Sequence, residues 1–380
     1  MTAKALTVFF LFPVLLAAVI KYFFGQGQPF LTEYKPTAPI LSKAHVTAIP
    51  VSMPPGCITI SPIDGRVFFD THPFANPKGN GQPSVFELLP DNTVKPWPSL
   101  EAQSLFVAPF GITTDAFGRV WFIEPAALDR ASTRILGLNV TTGDVILDHT
   151  LPPNLGRFAQ DLRVSPDGHY LVLADTGVLK FTAGNLIVFC LKTIRVIRVI
   201  YHPEFRPQDY FIRRWDGPPH RVFWGLISFH VGLDGIAFSQ EDGGMYLYLG
   251  TMTHNTMFKI PTKILLNPQA DDSEVVAAIT PVSAKPQSDG LAVTAAGTVL
   301  ITDIEGGGIV ALRMDGSLQT LTKDPSVVWA DSVEVYGDTV VFTDSALPAY
   351  IQQTMQPPDM ATVQAAKPFH LYRFSLPKGL

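Results

Sequence analysis

Four aspartates, each at the start of an alternating apolar strand, are the side chains best suited to chemistry in this 380-residue chain. They are Asp161, Asp234, Asp289 and Asp331. Four carboxylates that lie close together cannot all stay ionised without compensation. That compensation would be a bound cation, a cationic ligand, backbone N–H donors or raised pKa values. The choice depends on whether the fold brings these aspartates together.

Each aspartate begins one copy of a unit that recurs six times. The unit is a small or acidic residue, an alternating strand, a tight turn, a second strand and a closing polar residue. Its copies begin at Gly56, Gly111, Asp161, Asp234, Asp289 and Asp331. Their average spacing, about 55 residues, is typical of a four-stranded blade with generous loops. We therefore predict an all-β, six-bladed β-propeller, because a two-sheet sandwich would not repeat the same start and end six times.

Turns and outer strands agree with this blade. Asp64-Gly65, Asp167-Gly168 and Asp242-Gly243 supply residues that tolerate positive φ in two-residue hairpin turns. Outer strands are predicted at residues 134–138, 185–189, 257–260 and 308–312. In a propeller the inner strands all start around the axis, so the four aspartates should converge on one mouth of the central tunnel.

The composition indicates a large core built from sheet. Apolar residues make up 47% of the chain and charged residues only 16%, which leaves little material for solvated helices. The net charge of -5 provides no basic field, so nucleic acid is excluded as a partner. Cys57 and Cys190 are too few for a disulfide framework. We predict two buried thiols, with a single bridge between them as the alternative.

The N-terminal segment is predicted to direct the chain into the secretory pathway. Residues 5–20 carry no charge and lie between Lys4 and Lys21. The run is longer than a signal-peptide core and slightly short of the roughly 20 residues that span a bilayer. We predict a hydrophobic helix over 1–24 that is either a signal anchor or a cleaved signal peptide. A linker over 25–42 and the propeller over 43–380 would follow.

Location follows from this assignment. The propeller is predicted to be extracellular or in the secretory pathway, with a membrane contact only through residues 5–24. The sequon Asn139-Val140-Thr141 would then be open to glycosylation at Asn139.

Aromatic and imidazole side chains near the blade mouths are further candidates. Phe110, Trp224, Trp329 and Tyr350 are predicted to wall an apolar pocket around a few polar groups, with core packing as the alternative. His72 and His230 lie near blade mouths, where either could act as a general base, although a loop histidine without such a role is the plainer interpretation.

Several short motifs resemble the major royal jelly protein/Yellow family when taken in order along the chain. They are Gly79-Asn80-Gly81-Gln82-Pro83-Ser84, Val94-Lys95-Pro96-Trp97-Pro98, Ala174-Asp175-Thr176-Gly177, Ser288-Asp289-Gly290-Leu291 and Trp329-Ala330-Asp331-Ser332. The resemblance covers residues 51–350 and implies a secreted propeller with a small ligand on its axis. Some members convert dopachrome-like precursors and others only bind aromatic amines. Ser345 stands where some relatives carry a ligand-facing Asn.

Two alternatives stay open. One is a metal-dependent lactonase or esterase of the SMP-30/gluconolactonase type, since Asp289-Gly290-Leu291 is similar to both families. In that case Asp234 and Asp289 would bind Ca²⁺, which prefers hard oxygen ligands. The other is a non-catalytic structural or interaction propeller whose aspartates accept hydrogen bonds from neighbouring loops.

Overall fold

The architecture is a closed ring of β-sheets. The computed structural model describes residues 3–30, 36–76, 81–128, 130–214, 217–239, 244–351 and 358–380, with side chains from Phe12 onward. In this part of the chain, the strands include six four-stranded antiparallel sheets. The innermost strand of each sheet contacts the innermost strands of the sheets on either side, and the contacts close into a ring. The prediction of a six-bladed β-propeller is confirmed.

The chain begins with helix α1 (Ala3–Phe24) and reaches the first strand, β1 (Thr47–Val51), through a short 3-10 turn at Lys43–His45. Between them, residues 37–41 run beside blade five, where the backbone N–H groups of Ile40 and Leu41 donate to Thr320 O and Leu321 O. Among the residues described, none of the helices combines the length and apolar character that a membrane crossing requires.

The first three blades follow the order of the chain. Blade one consists of β2 (Pro55–Ile60), β3 (Val67–Thr71), β4 (Val85–Leu88) and β5 (Val94–Pro96). Blade two consists of β6 (Gly111–Thr114), β7 (Arg119–Glu124), β8 (Arg134–Asn139) and β9 (Val145–Thr150). Blade three consists of β10 (Ala159–Val164), β11 (Tyr170–Asp175), β12 (Asn185–Cys190) and β13 (Arg195–Ile200).

A small hairpin, β14 (Arg221–Val222) and β15 (Ile227–Ser228), precedes blade four. Blade four consists of β16 (Leu233–Phe238), β17 (Tyr246–Thr251), β18 (Thr256–Pro261) and β19 (Thr280–Ala284), with helices α2 (Thr262–Leu265) and α3 (Asp272–Ala277) inserted before β19. Blade five consists of β20 (Leu291–Val293), β21 (Val299–Asp303), β22 (Gly308–Leu312) and β23 (Leu318–Lys323).

Blade six closes the ring by joining the two ends of the propeller. It consists of β24 (Ala330–Tyr336), β25 (Thr339–Asp344), β26 (Phe369–Ser375) and the N-terminal strand β1, with helix α4 (Met360–Ala365) before β26. Strand β1 pairs antiparallel with β26, so that Ile49 lies opposite Leu371. The sixth sheet is therefore built from strands at both ends of the propeller. Backbone hydrogen bonds between β1 and β26 hold these two ends together and close the ring.

The turns between inner strands need left-handed residues, as predicted. Gly65 and Gly168 both have φ of 72°, a conformation that glycine adopts without a steric penalty. The loops at Gly65 and Gly168 are both longer than the predicted two residues. Ser61 N donates to Arg66 O and Ser165 N donates to Tyr170 O, which leaves residues 62–65 and 166–169 as the turns. Asp242-Gly243 lie outside the described residues.

The two thiols are free, and both belong to strands, Cys57 to β2 and Cys190 to β12. The apolar core is divided into clusters between neighbouring blades. A further cluster covers the end of the axis at which the inner strands begin. We call this end the upper mouth and the end at which the inner strands finish the lower mouth.

Candidate functional site

The four predicted aspartates meet in one cavity at the upper mouth. Asp161 lies on β10, Asp234 on β16 and Asp331 on β24, and Asp289 lies two residues before β20. All four line the same cavity. Blades one and two contribute Cys57 and Phe110 to the lining instead of an aspartate, and Asp70 of blade one lies behind Cys57, from whose backbone N–H it accepts a hydrogen bond at 2.8 Å. The cavity is therefore acidic on one side and neutral or aromatic on the other.

The cavity is narrow. It offers about 40 Å³ to the centres of water-sized molecules, which is room for about three waters at the usual 10–15 Å³ each. Its upper walls are apolar and include Phe74, Phe110, Phe158, Phe229, Leu179 and Met252. The rings of Phe74 and Phe110 meet edge to face with centroids 5.6 Å apart. Such a cavity suits the polar end of a small molecule whose apolar part lies against the aromatic walls.

Asp161 and Asp289 accept hydrogen bonds from the protein. Asp161 Oδ1 accepts from Leu162 N at 2.8 Å, and Asp161 Oδ2 accepts from Ile236 N at 2.9 Å. Asp289 Oδ2 accepts from Trp329 Nε1 at 2.7 Å. These two aspartates therefore accept hydrogen bonds from the surrounding protein, as the non-catalytic alternative predicts.

Asp234 is different. It is 2% exposed, and its Oδ2 has no hydrogen-bond partner among the described residues. A buried carboxyl oxygen without a partner is uncommon in native proteins and calls for an explanation such as an ion, a ligand or a water. Because Asp234 lines the cavity, a ligand group there could supply the missing donor.

Burial raises the pKa of each of the four acids that line this cavity. It raises the pKa of Asp234 well above its usual range, and the charges of Asp161 and Asp331 add to this rise. Burial likewise raises the pKa of Asp289 well above its usual range, with Asp331 and Asp234 contributing. For Asp331, burial raises the pKa to about 7. An acid with such a pKa can both take up and release a proton near neutral pH.

His72 faces Asp331 in a defined tautomer. Its Nδ1 accepts from Phe74 N at 3.2 Å, so the neutral ring carries its proton on Nε2. His72 Nε2 lies 4.0 Å from Asp331 Oδ2. Burial lowers the pKa of His72 to about 3, which keeps the ring neutral at physiological pH. The pair therefore places an N–H donor beside a titratable carboxyl group.

The other predicted site residues lie elsewhere. Trp329, Ser345 and Tyr350 are buried behind the cavity wall, where Tyr350 Oη donates to Ser345 O at 2.9 Å. Trp329 and Tyr350 touch residues that line the cavity, Asp289 and His72 respectively. Trp224 is 70% exposed and does not wall the pocket, which corrects that part of the aromatic prediction. His230 is fully buried, and its Nδ1 donates to Ser228 O at 3.0 Å.

Arg163, which the sequence analysis missed, blocks the tunnel below the aspartates. Its Nε donates to Ile236 O and its Nη2 to Leu291 O, both at 2.8 Å, and its Nη1 lies 3.2 Å from Glu334 Oε2. Arg163 therefore ties blade three to blades four, five and six. The available signal was a second charged residue on this inner strand, two positions after Asp161.

Lys285 is a second charged group that sequence reasoning missed. It is fully buried, and its Nζ donates to Pro286 O at 3.0 Å and to Ser288 Oγ at 2.9 Å. Burial lowers the pKa of Lys285 to about 7, against the opposing charges of Asp234 and Asp303. Among the described residues, Lys285 is the basic side chain that lowers the pKa of Asp234, and Lys285 is itself only partly protonated near pH 7.

The predicted calcium ligands share the cavity but are not arranged as a metal site. Among the described residues, no group of three or more His, Cys, Asp or Glu side chains is placed to hold a metal ion. Asp234 and Asp289 share the cavity, but Asp289 Oδ2 is already occupied by the Trp329 indole. The residues present therefore do not match the six to eight oxygen ligands that Ca²⁺ takes.

Comparison with known proteins supports the fold. No protein-family model matches the chain, and no curated protein does. A gluconolactonase from Xanthomonas campestris matches with a TM-score of 0.53 and 13% identity over 93% of this chain and 98% of that chain. A calcium-binding regucalcin from Agrobacterium tumefaciens matches with 0.51 and 13% over 86% and 91%. A luciferin-regenerating enzyme matches with 0.53 and 13% over 88% and 95%.

At this identity the matches show a shared fold and no more. Two of the matched structures are gluconolactonases, the type that the sequence analysis gave as an alternative. None of the matches supports the resemblance to the Yellow/royal jelly family in particular.

Proposed function

We propose that the axial cavity hydrolyses a small lactone or ester. The observation that carries this proposal is the pairing of Asp331 with the neutral Nε2–H of His72 at the end of a narrow, apolar cavity. The likeness of the fold to a gluconolactonase supports lactone hydrolysis ahead of the Yellow-type function. An acid with a pKa of about 7 is well matched to acid–base work at neutral pH.

The two side chains would divide the reaction between them. Ionised Asp331 accepts a proton from a water as that water attacks the carbonyl carbon, and His72 donates a hydrogen bond from Nε2 to the carbonyl oxygen as it gains charge. When the tetrahedral intermediate collapses, the carbon–oxygen bond of the leaving group breaks. Asp331 then returns its proton to the leaving oxygen. The apolar part of the substrate would lie against Phe74, Phe110 and Phe158.

The test is hydrolysis of a panel of γ-lactones, δ-lactones and aryl esters by the full chain. Asp331→Asn should lower kcat by about a hundredfold or more, the usual contribution of a general base. His72→Phe should lower kcat as well. Asp64→Asn, which removes an exposed carboxylate from a turn, is the matched control and should leave kcat unchanged. Full activity in Asp331→Asn would contradict the proposal.

Calcium is tested in the same assay. Since the described residues do not match a calcium site, no step above depends on a metal, and activity should survive chelation. Loss of activity on chelation that Ca²⁺ restores, together with bound calcium in the purified protein, would instead support the predicted roles of Asp234 and Asp289.

A second candidate is binding of a small cationic amine, which would suit a Yellow-like propeller. The unpartnered Oδ2 of Asp234 within the described structure favours it, because a protonated amine offers both donors and charge. Titration calorimetry with aromatic amines should then show affinity that rises with pH through about 7, as Asp331 loses its proton. Asp234→Asn should abolish binding. If neither amines nor lactones bind to the protein, that result would favour the non-catalytic structural or interaction propeller.

The secretory location remains a proposal as well. Expression of the full chain in a eukaryotic host should give a glycosidase-sensitive product, and Asn139→Gln should remove that sensitivity. Asn139 ends strand β8, and its Oδ1 accepts from Thr141 N at 2.9 Å.

A further inference from the structure

An exposed apolar patch adjoins the upper mouth and has no counterpart in the proposed reaction. Helix α1 contributes seven large side chains that are 44–69% exposed. They are Phe12, Val14, Leu15, Leu16, Val19, Tyr22 and Phe23. Two more come from distant parts of the chain, Phe181 (50% exposed) and Trp224 (70% exposed). We call these nine residues the exposed apolar patch.

The patch is fixed to the propeller at the base of α1. Ile20 and Phe24 pack against the apolar cluster of the upper mouth, and the rings of Phe24 and Phe181 are 4.7 Å apart. Ser228 Oγ, in the β14–β15 hairpin, donates to Gly25 O at 3.1 Å. Gln28 then pairs with Tyr210 in a parallel β-bridge. The helix is therefore seated at its C-terminal end rather than trailing from the domain.

The backbone of the hairpin holds Trp224 outward at a cost. Phe223, Trp224 and Gly225 have consecutive positive φ values of 51°, 56° and 80°. The left-handed region is unfavourable for a bulky residue, and exposure of the indole to water does not compensate for that strain. Phe223 and Leu226, on either side, pack against the cluster of the upper mouth. The turn thus inserts into the domain with its flanking residues and exposes only the indole.

The rim of the cavity belongs to the same segments. Val178 and Leu179, which line the cavity, precede Phe181 by three and two residues, and Phe229 follows β15 directly. All three belong to, or pack against, the same cluster as Ile20 and Phe24. A surface that covered the exposed apolar patch would therefore face the entrance of the cavity.

The chemistry of the patch favours a lipid bilayer over a protein partner. A protein that binds a helix needs one apolar stripe, whereas residues 12–23 expose apolar side chains on all sides and carry one charge, Lys21. Tyr22 and Trp224 are the residue types that concentrate at membrane interfaces. Arg221, paired with Ser228 in the hairpin, adds a second positive charge beside the base of α1. These charges would suit anionic head groups.

We propose that the exposed apolar patch docks on an anionic lipid bilayer, so that the upper mouth of the propeller opens toward the membrane surface. The attachment involves the propeller itself, through Phe181 and Trp224, and not the N-terminal segment alone. This inference does not depend on the proposed hydrolysis.

The experiment mixes the full chain with phosphatidylcholine vesicles, with and without phosphatidylserine, and measures sedimentation with the vesicles. Brominated lipids should quench tryptophan emission, which is measured in a Trp215→Phe background because Trp215 lies outside the described residues. In this background Trp224→Phe should remove the quenched component, since Trp97, Trp121 and Trp329 are at most 3% exposed. Phe181→Ser with Trp224→Ser should weaken partitioning about tenfold or more, given the apolar area of two aromatic rings. Phe117→Ser removes a similarly exposed Phe at the lower mouth and should leave partitioning unchanged.

Three results would overturn the proposal. Vesicle binding without quenching of Trp224 would mean that α1 inserts alone. Concentration-dependent dimers without vesicle binding would mean that a second copy covers the patch. Mass spectrometry that finds the mature chain cut before Gly25 would remove α1 from the functional protein.

Discussion

The two mouths of the propeller axis differ in how their charged groups are satisfied. At the lower mouth, Arg163 and Glu334 form a close pair and the guanidinium also reaches two backbone carbonyls. At the upper mouth, four aspartates share a narrow cavity and Asp234 Oδ2 lacks a partner among the described residues. The lower cavity is far larger, about 490 Å³ against about 40 Å³. The proposed function uses the smaller of the two cavities, because that cavity contains the buried carboxyl oxygen of Asp234 that lacks a partner.

Removing the arginine that separates the mouths should have the largest effect. Arg163→Ala leaves Glu334 buried without its partner and frees two carbonyls, so the free energy of unfolding should fall by about 3–5 kcal/mol. Denaturant titration measures the loss. Arg195→Ala, at an exposed strand end, should change it by less than about 0.5 kcal/mol. Equal effects of the two changes would mean that Arg163 does not hold the blades together.

At the upper mouth, replacing the charged residue Asp331 should raise the free energy of unfolding instead of lowering it, and the size of this change should depend on pH. The folded pKa of Asp331 is about 7, well above the value of about 3.9 expected in the unfolded chain. Its contribution to stability is therefore full below about pH 4 and is lost as pH rises through about 7. Asp331→Asn should raise stability at pH 8.5 relative to wild type by about 1–3 kcal/mol more than at pH 5. A pH-independent difference would show that Asp331 titrates normally.

The tryptophan behind the cavity gives a smaller effect. Trp329→Phe removes the Nε1 donor to Asp289 Oδ2 while keeping a ring, and should cost about 1–3 kcal/mol. The same change in an Asp289→Ala background should cost about 1 kcal/mol less, since the acceptor is already gone. Additive losses in this double-mutant cycle would mean that Trp329 acts through packing alone.

The smallest change is expected at the lower rim. Phe117→Ser removes a ring whose centroid lies 5.2 Å from the Arg119 guanidinium, and should cost about 0.5–1 kcal/mol, as exposed cation–π pairs do. Lactone hydrolysis and amine binding should keep their wild-type constants. A change in either would mean that ligands also use the lower mouth.

Residues far apart in sequence account for what sequence reasoning missed. Arg163 meets Glu334, and Lys285 influences Asp234, only because the closed ring superimposes different blades on one axis. The prediction for Trp224 failed for a related reason. An aromatic residue near a blade mouth can point toward the axis or away from it. The left-handed turn at Phe223 and Trp224 places the Trp224 indole in solvent.

The sequence by itself determined the number of blades, because strand alternation and turn chemistry are local and repeat six times along the chain. It also determined that the inner strands of blades three to six carry an acid where they begin. It also identified the four aspartates that share the upper cavity. Only the tertiary structure decided which carboxyl oxygens find donors, where Arg163 blocks the tunnel and how Trp329 supports Asp289. Those outcomes depend on distances between different blades, and closure of the ring sets these distances.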